Sequence, residues 1–255
     1  MYSTLILIII IFVPLPVMIK EMFAGKNPYR GVLHGIISAV IGVALVFLLF
    51  FALTGVPFSH SLESMLNSIQ AKDLLGPYQA LGIAGDLDPE ELQMVADAAK
   101  SMMIRSLPGY IIIWSCILAY VNYNIISKFL VKLRKDVPTL PPFRDFTLPR
   151  NSLFGFLVIF FLSFLAGNIG IIDSGLMMLN VEILLRFVFS IQGLAVLFYI
   201  GKVKKIPAII PFIVAVVLII SGAGNTVLFV LGMAEVVFEI RKRSQKRLDN
   251  SSPRL

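Results

Sequence analysis

Residues 32–53 read VLHGIISAVIGVALVFLLFFAL. No Asp, Glu, Lys or Arg interrupts them. As a helix they rise by about 33 Å, enough to cross a hydrocarbon core of roughly 30 Å. Six more apolar stretches extend the pattern: about Leu5–Ile19, broken by Pro14 and Pro16, then Leu107–Val131, Ser152–Ala166, Leu176–Ile200, Ile206–Ile220 and Thr226–Ile240. Several fall short of about 20 residues, so they tilt little, thin the bilayer or extend into the interface. The whole 255-residue chain agrees: 58% of it is hydrophobic, 15% is charged and its mean hydropathy is +0.90. A soluble domain carries about 25% charge, so the expectation is an all-α, polytopic transmembrane helical bundle of about seven spans. The first stretch lacks a basic region ahead of it and a small-x-small cleavage site, and reads as a retained helix rather than a signal peptide.

The net charge of +7 matters through its placement. Cations fall after the first stretch (Lys20, Lys26, Arg30), after the third (Lys128, Lys132, Arg134, Lys135, Arg144, Arg150) and after the fifth (Lys202, Lys204, Lys205). The remainder of this set lies in the tail (Arg241, Lys242, Arg243, Lys246, Arg247, Arg254). With seven spans all of these share one side; the other side has only Lys72, Lys100 and Arg105, and Arg186 alone falls inside a span. Positive loops face the cytoplasm, so the expected location is a bacterial cytoplasmic membrane with a cytoplasmic C-terminus. Composition divides the chain into an N-terminal pair of spans (1–54), an extracytoplasmic amphipathic segment (55–106), a five-helix core (107–240) and a basic tail (241–255).

Within 55–106, Asp88-Pro89-Glu90-Glu91 predicts a helix start, with Asp88 as cap and Glu91 completing a capping box. Leu92, Val95, Ala96, Ala99, Met102 and Met103 follow at helical spacing and lead into the third stretch, where Pro108 is a candidate kink. Leu62, Met65, Leu66 and Ile69 mark a second amphipathic piece. Pattern alone leaves two readings open, a cover on the bundle or a lid over a cavity.

Ionisable groups at membrane depth cost roughly 2.5–3.5 kcal/mol each and need a partner or water. Glu182 and Arg186 in the fifth stretch stand at i, i+4 and can pair on one helix face, which Ser190 and Gly193 continue. That face is either one wall of a ligand cavity or a self-neutralising internal salt bridge. Asn180, Gln192 and Asn225 are weaker candidates for the same cavity. Asn122, Asn124, Asn168 and Asp173 read as helix-packing contacts. Glu239 is placed to reach Arg243 at i+4, and Glu235 lies deeper. Ser221-Gly222-Ala223-Gly224-Asn225 predicts a tight turn between the last two stretches. Arg241-Lys242-Arg243 marks topology or offers a surface to anionic lipid or an acidic protein.

One cysteine, Cys116, excludes an intramolecular disulfide, and two histidines, His34 and His60, offer little for zinc; no metal site and no cofactor are expected. Walker, dinucleotide-glycine, His-Glu-x-x-His and nucleophile-elbow patterns are absent from the sequence. No enzyme activity is expected. The basic loops lack the aromatic interleaving of a nucleic-acid binder.

Gln192-Gly193-Leu194-Ala195, the basic loop after it, Leu231-Gly232 with the closing Arg241-Lys242-Arg243, and Pro14-Leu15-Pro16 together resemble the YybS-type family of bacterial multi-pass membrane proteins. Relative to that family the chain starts close to the proline pair, as a short variant or one lacking an N-terminal piece. The resemblance implies a distant relation to the substrate-binding S components of energy-coupling-factor vitamin transporters. It thus implies a helical bundle that binds a small molecule and associates with a membrane partner, although the Ala-x-x-x-Ala contact motif of those components is not evident in the first helices. The leading expectation is a transporter-like small-molecule-binding component. The alternative is a non-transporting scaffold or regulator that holds a cytoplasmic partner on its basic face.

Overall fold

The computed structural model describes residues 11–73, 88–169 and 173–243. The start of the first apolar stretch, Asp86 and the tail cations Lys246, Arg247 and Arg254 lie outside the described residues. The principal elements are α1 (Pro14–Phe23), α2 (Pro28–Thr54), α3 (Phe58–Asn67), α4 (Pro89–Lys132), α5 (Ser152–Asn168), α6 (Ser174–Val203), α7 (Ile209–Ile220) and α8 (Gly222–Phe238), with one 3-10 turn at Phe143–Asp145. Packing divides the chain into two units, Met1–Thr139 and Leu140–Leu255. The boundary falls in a connector rich in proline (Pro138, Pro141, Pro142), where backbone donors are missing and helix cannot continue.

In the first unit, α2 presents Gly31, Gly35, Ala39 and Gly42 along one buried face. A Cβ at Gly31 would lie 2.6 Å from the Tyr123 ring, and one at Gly35 would lie 2.6 Å from Met18 Sδ. The small residues therefore set how closely α1 and α4 approach α2. On α4 the buried positions Ser115, Ala119, Tyr123 and Ser127 recur every four residues, and the Tyr123 hydroxyl donates to the Pro138 carbonyl at 3.1 Å. The capping box at the α4 start is formed: Glu91 N–H donates to Asp88 Oδ1 at 2.8 Å and Asp88 N–H to Glu91 Oε2 at 3.3 Å. From there α4 runs without a break through Pro108 for 44 residues. That is about 66 Å, twice the hydrocarbon thickness, so part of α4 projects beyond it. The α3 helix packs on α2 and α4, with Phe58 stacked on Phe47 at 4.5 Å and the buried Lys100 donating to the Ile69 carbonyl at 2.9 Å. These contacts pack the amphipathic pieces against α2 and α4. The groove beneath, about 440 Å³, is lined almost wholly by apolar side chains such as Phe47, Phe51, Leu107 and Ile111.

In the second unit α6 is the hub against which α5, α7 and α8 pack. Gly193 of α6 and Gly232 of α8 face each other's backbone: a Cβ on Gly193 would overlap the Leu228 carbonyl oxygen, and one on Gly232 the Phe189 carbonyl oxygen. Phe189 fills the core between them, tilted against Phe156 and edge-on to Phe229.

By length and composition, α2, α4 and α6 are each able to cross a membrane. The α7–α8 pair is bent by 113° and adds a fourth span only if it counts as one broken crossing. The described residues thus give three to four candidate spans where the sequence suggested about seven. The difference arises at short helices: α5 has 17 residues, α7 has 12 and α1 has 10. The corner between α7 and α8 also differs from a five-residue turn. Only Ser221 leaves helical geometry, its Oγ accepts from Gly224 N–H at 3.1 Å, and α8 begins at Gly222. A good N-cap outweighs the low helix propensity of two glycines.

Candidate functional site

The five residues singled out for a ligand cavity separate into three environments. Asn180 donates to the Leu176 carbonyl of its own helix at 2.7 Å. Gln192 is 1% exposed, and its Oε1 accepts from Leu148 N–H at 3.0 Å. It therefore anchors the connector that precedes α5 instead of facing a cavity. Replacing it by leucine leaves that peptide donor unsatisfied. The expected loss is about 1–3 kcal/mol of stability, and hydrogen exchange should show the Leu148 amide losing protection.

The other three share one face. Arg186 Nε donates to Glu182 Oε1 at 2.9 Å, and the guanidinium sits 5.7 Å from the centre of the Phe229 ring on α8. One turn further, Ser190 donates its hydroxyl to Asn225 Oδ1 at 3.0 Å. The two side chains of the ion pair remain about half exposed, 49% for Arg186 and 54% for Glu182. Among the described residues neither terminal guanidinium nitrogen has a hydrogen-bond partner. Arg186 lies twelve residues into a 30-residue helix, about 18 Å along a rod of about 45 Å, close to its middle. The result is a polar strip of Glu182, Arg186, Ser190 and Asn225, partly open, at the depth where the surrounding side chains are apolar.

A second cluster was legible only in part. Glu21 at the end of α1 is 8% exposed and gathers two cations and an imidazole: Lys26 Nζ at 3.2 Å, Arg30 Nε at 3.6 Å and His34 Nδ1 at 3.3 Å. Burial opposes ionisation of this carboxyl, yet the Lys26 hydrogen bond and charge, with His34 and Arg30, outweigh it and hold the pKa below the ordinary carboxylate value. Arg30 and His34 stand at i, i+4 on α2, a spacing that marks one helix face. Nothing in the sequence says that Glu21 meets it.

The third cluster corrects the reading of the tail. Arg241 is 6% exposed, and its Nε donates to the buried Glu235 Oε1 at 2.8 Å. Its Nη1 and Nη2 donate to the carbonyls of Arg144 and Phe146, each at 2.9 Å. Arg241 is a buried clamp on the 143–146 turn, whereas Lys242 and Arg243 are exposed. The chain reaches this position because Glu239 takes a left-handed conformation, φ 49°, which ends α8. For the same reason the Glu239 carboxylate pairs with Lys242 at 2.8 Å and not with Arg243. Elsewhere Asn168 bonds locally, to the Phe164 carbonyl at 3.0 Å, whereas Asn122 of α4 donates to the distant Ile11 carbonyl at 3.1 Å, as a packing contact does. Asp173 caps α6 through Leu176 N–H at 3.1 Å. Among the described residues no cluster of His, Cys, Asp and Glu is suited to a metal ion.

Comparison with known proteins places these features in context. Residues 1–236 match the family described as "Predicted membrane protein (DUF2232)". The "Uncharacterized protein YybS" of Bacillus subtilis (strain 168) is 23% identical over 228 residues, covering 88% of this chain and 71% of that protein. No solved structure matches.

Proposed function

Since the chain belongs to the DUF2232 family of predicted membrane proteins, we propose that it is a transporter-like, small-molecule-binding membrane component that uses the polar strip on α6 and α8. One observation carries this reading: the Glu182–Arg186 pair is half exposed on a spanning helix, with the terminal guanidinium nitrogens unspent. A charged pair at that depth needs polar company, since each group costs roughly 2.5–3.5 kcal/mol on insertion. A small molecule with an acidic group for Arg186 and a polar group for Ser190 and Asn225 supplies it. Binding alone moves nothing across a bilayer; transport needs exchange between conformations with different affinities. The reading assigns no catalytic chemistry to the chain. The alternative, a scaffold docking a cytoplasmic partner on the tail cations, is weakened because Arg241 is spent internally.

Native mass spectrometry of gently extracted protein tests the proposal. The wild type should retain a small-molecule adduct. Glu182→Gln and Arg186→Met should each lower its occupancy by roughly 10- to 100-fold, the value of a hydrogen bond to a charged group, with the unfolding midpoint little changed. If both single variants misfold and the double variant restores folding, the pair is a structural ion pair and the proposal fails. Absence of any adduct on the wild type would also count against it.

A further inference from the structure

A separate cleft of about 500 Å³ lies at the C-terminal end of α6. Its polar lining is Arg144, Lys202 and Lys205, and its walls include Phe143, Phe198 and Pro211. Among the described residues no Asp or Glu lines it. Three cations around one apolar hollow repel one another unless an anion sits among them.

The cleft is preorganised. Arg241 donates to the Arg144 and Phe146 carbonyls of the 143–146 turn, and Phe143 stands edge-on to Phe198 at 5.9 Å. On the facing wall α6 closes with Lys205 in the left-handed region, φ 54°, its N–H donating to the Lys202 carbonyl at 3.1 Å. Glycine takes that conformation without steric cost, yet a lysine occupies it. Lys202 and Lys205 also sit where a 30-residue apolar helix ends, the depth of lipid headgroups.

We infer that this cleft binds the phosphate of an anionic phospholipid headgroup, with Arg144, Lys202 and Lys205 as its cationic ligands and the phenylalanine wall against the lipid's apolar part. The site is independent of the Glu182–Arg186 strip. Basic pockets between helix ends are charge-complementary to such headgroups, and each cation near the surface contributes about a fivefold change in affinity.

The test uses the full-length protein in mild detergent, titrated with phosphatidylglycerol or with phosphatidylcholine and read by native mass spectrometry. Phosphatidylglycerol should be retained about 100-fold more tightly than phosphatidylcholine, the effect of three cations at about fivefold each. Lys205→Gly should weaken its retention about fivefold, and Lys202→Gln with Lys205→Gly about 25-fold, leaving phosphatidylcholine unchanged. Unchanged phosphatidylglycerol retention in the folded double variant overturns the proposal. Displacement of the lipid by inorganic phosphate at millimolar concentration also overturns it, because the site then takes free phosphate. If the double variant does not fold, Lys205→Gly alone decides, since it removes the charge while relieving the left-handed backbone.

Discussion

Arg241→Met lowers the unfolding free energy of the protein by about 3–5 kcal/mol, the cost of removing one partner from a buried ion pair. The substitution leaves the Glu235 carboxylate enclosed without its cation, and strips donors from the Arg144 and Phe146 carbonyls. Denaturant unfolding in detergent micelles measures the loss. Removing the stranded charge as well, in Glu235→Leu/Arg241→Met, should recover about 2 kcal/mol, because a pair replaced by apolar groups is far less costly than a pair broken. Arg241→Lys keeps the charge but loses the planar fork that reaches three acceptors, so it should fall between the two. Lys242→Met and Arg243→Met should leave the midpoint near that of the wild type, since both side chains are exposed. If Arg241→Met proves as mild as Lys242→Met, Arg241 is a solvated tail residue and the clamp does not exist.

That contrast within three adjacent cations shows where sequence reading stops. Helical character, the apolar stretches and the start of α4 were legible because each depends on near neighbours: composition over about 20 residues, or a cap and its partner three residues on. Asp88 and Glu91 form the expected box for that reason. The Glu182–Arg186 pair was legible at i, i+4 for the same reason. Glu235 and Arg241 are six apart, a spacing with no helical meaning, and meet only because the chain turns left-handed at Glu239. Gln192 read as one more polar residue on a spanning helix. Its partner is the Leu148 amide, 44 residues away, and peptide groups carry no sequence signal. Composition does not fix span number, because a 12-residue apolar run ending at Ile220 has the same composition as half a longer span.

Gly193→Ala and Gly232→Ala should each destabilise the second unit by about 3 kcal/mol or more, at the upper end of overpacking costs. Each new methyl group meets a backbone carbonyl, of Leu228 and of Phe189 respectively, and not the end of a movable side chain. Relief therefore requires α6 and α8 to part along their length, which also loosens the buried Phe189 and the Arg186–Phe229 contact. Small residues at a helix crossing let backbones approach so closely that van der Waals contact, rather than hydrophobic burial, holds them in lipid. The two substitutions act on one crossing, so their effects should not add: once the helices have separated for the first methyl, the second finds room. The double variant should lose clearly less than the sum of the single variants. Gly155→Ala on α5 is the control, because a Cβ there meets nothing within 4 Å and helix propensity favours alanine; it should be neutral or stabilising by up to about 1 kcal/mol. Unfolding midpoints of the four variants in one detergent decide the matter. Strictly additive losses, or a Gly193→Ala variant as stable as Gly155→Ala, would mean that α6 and α8 do not cross at these glycines.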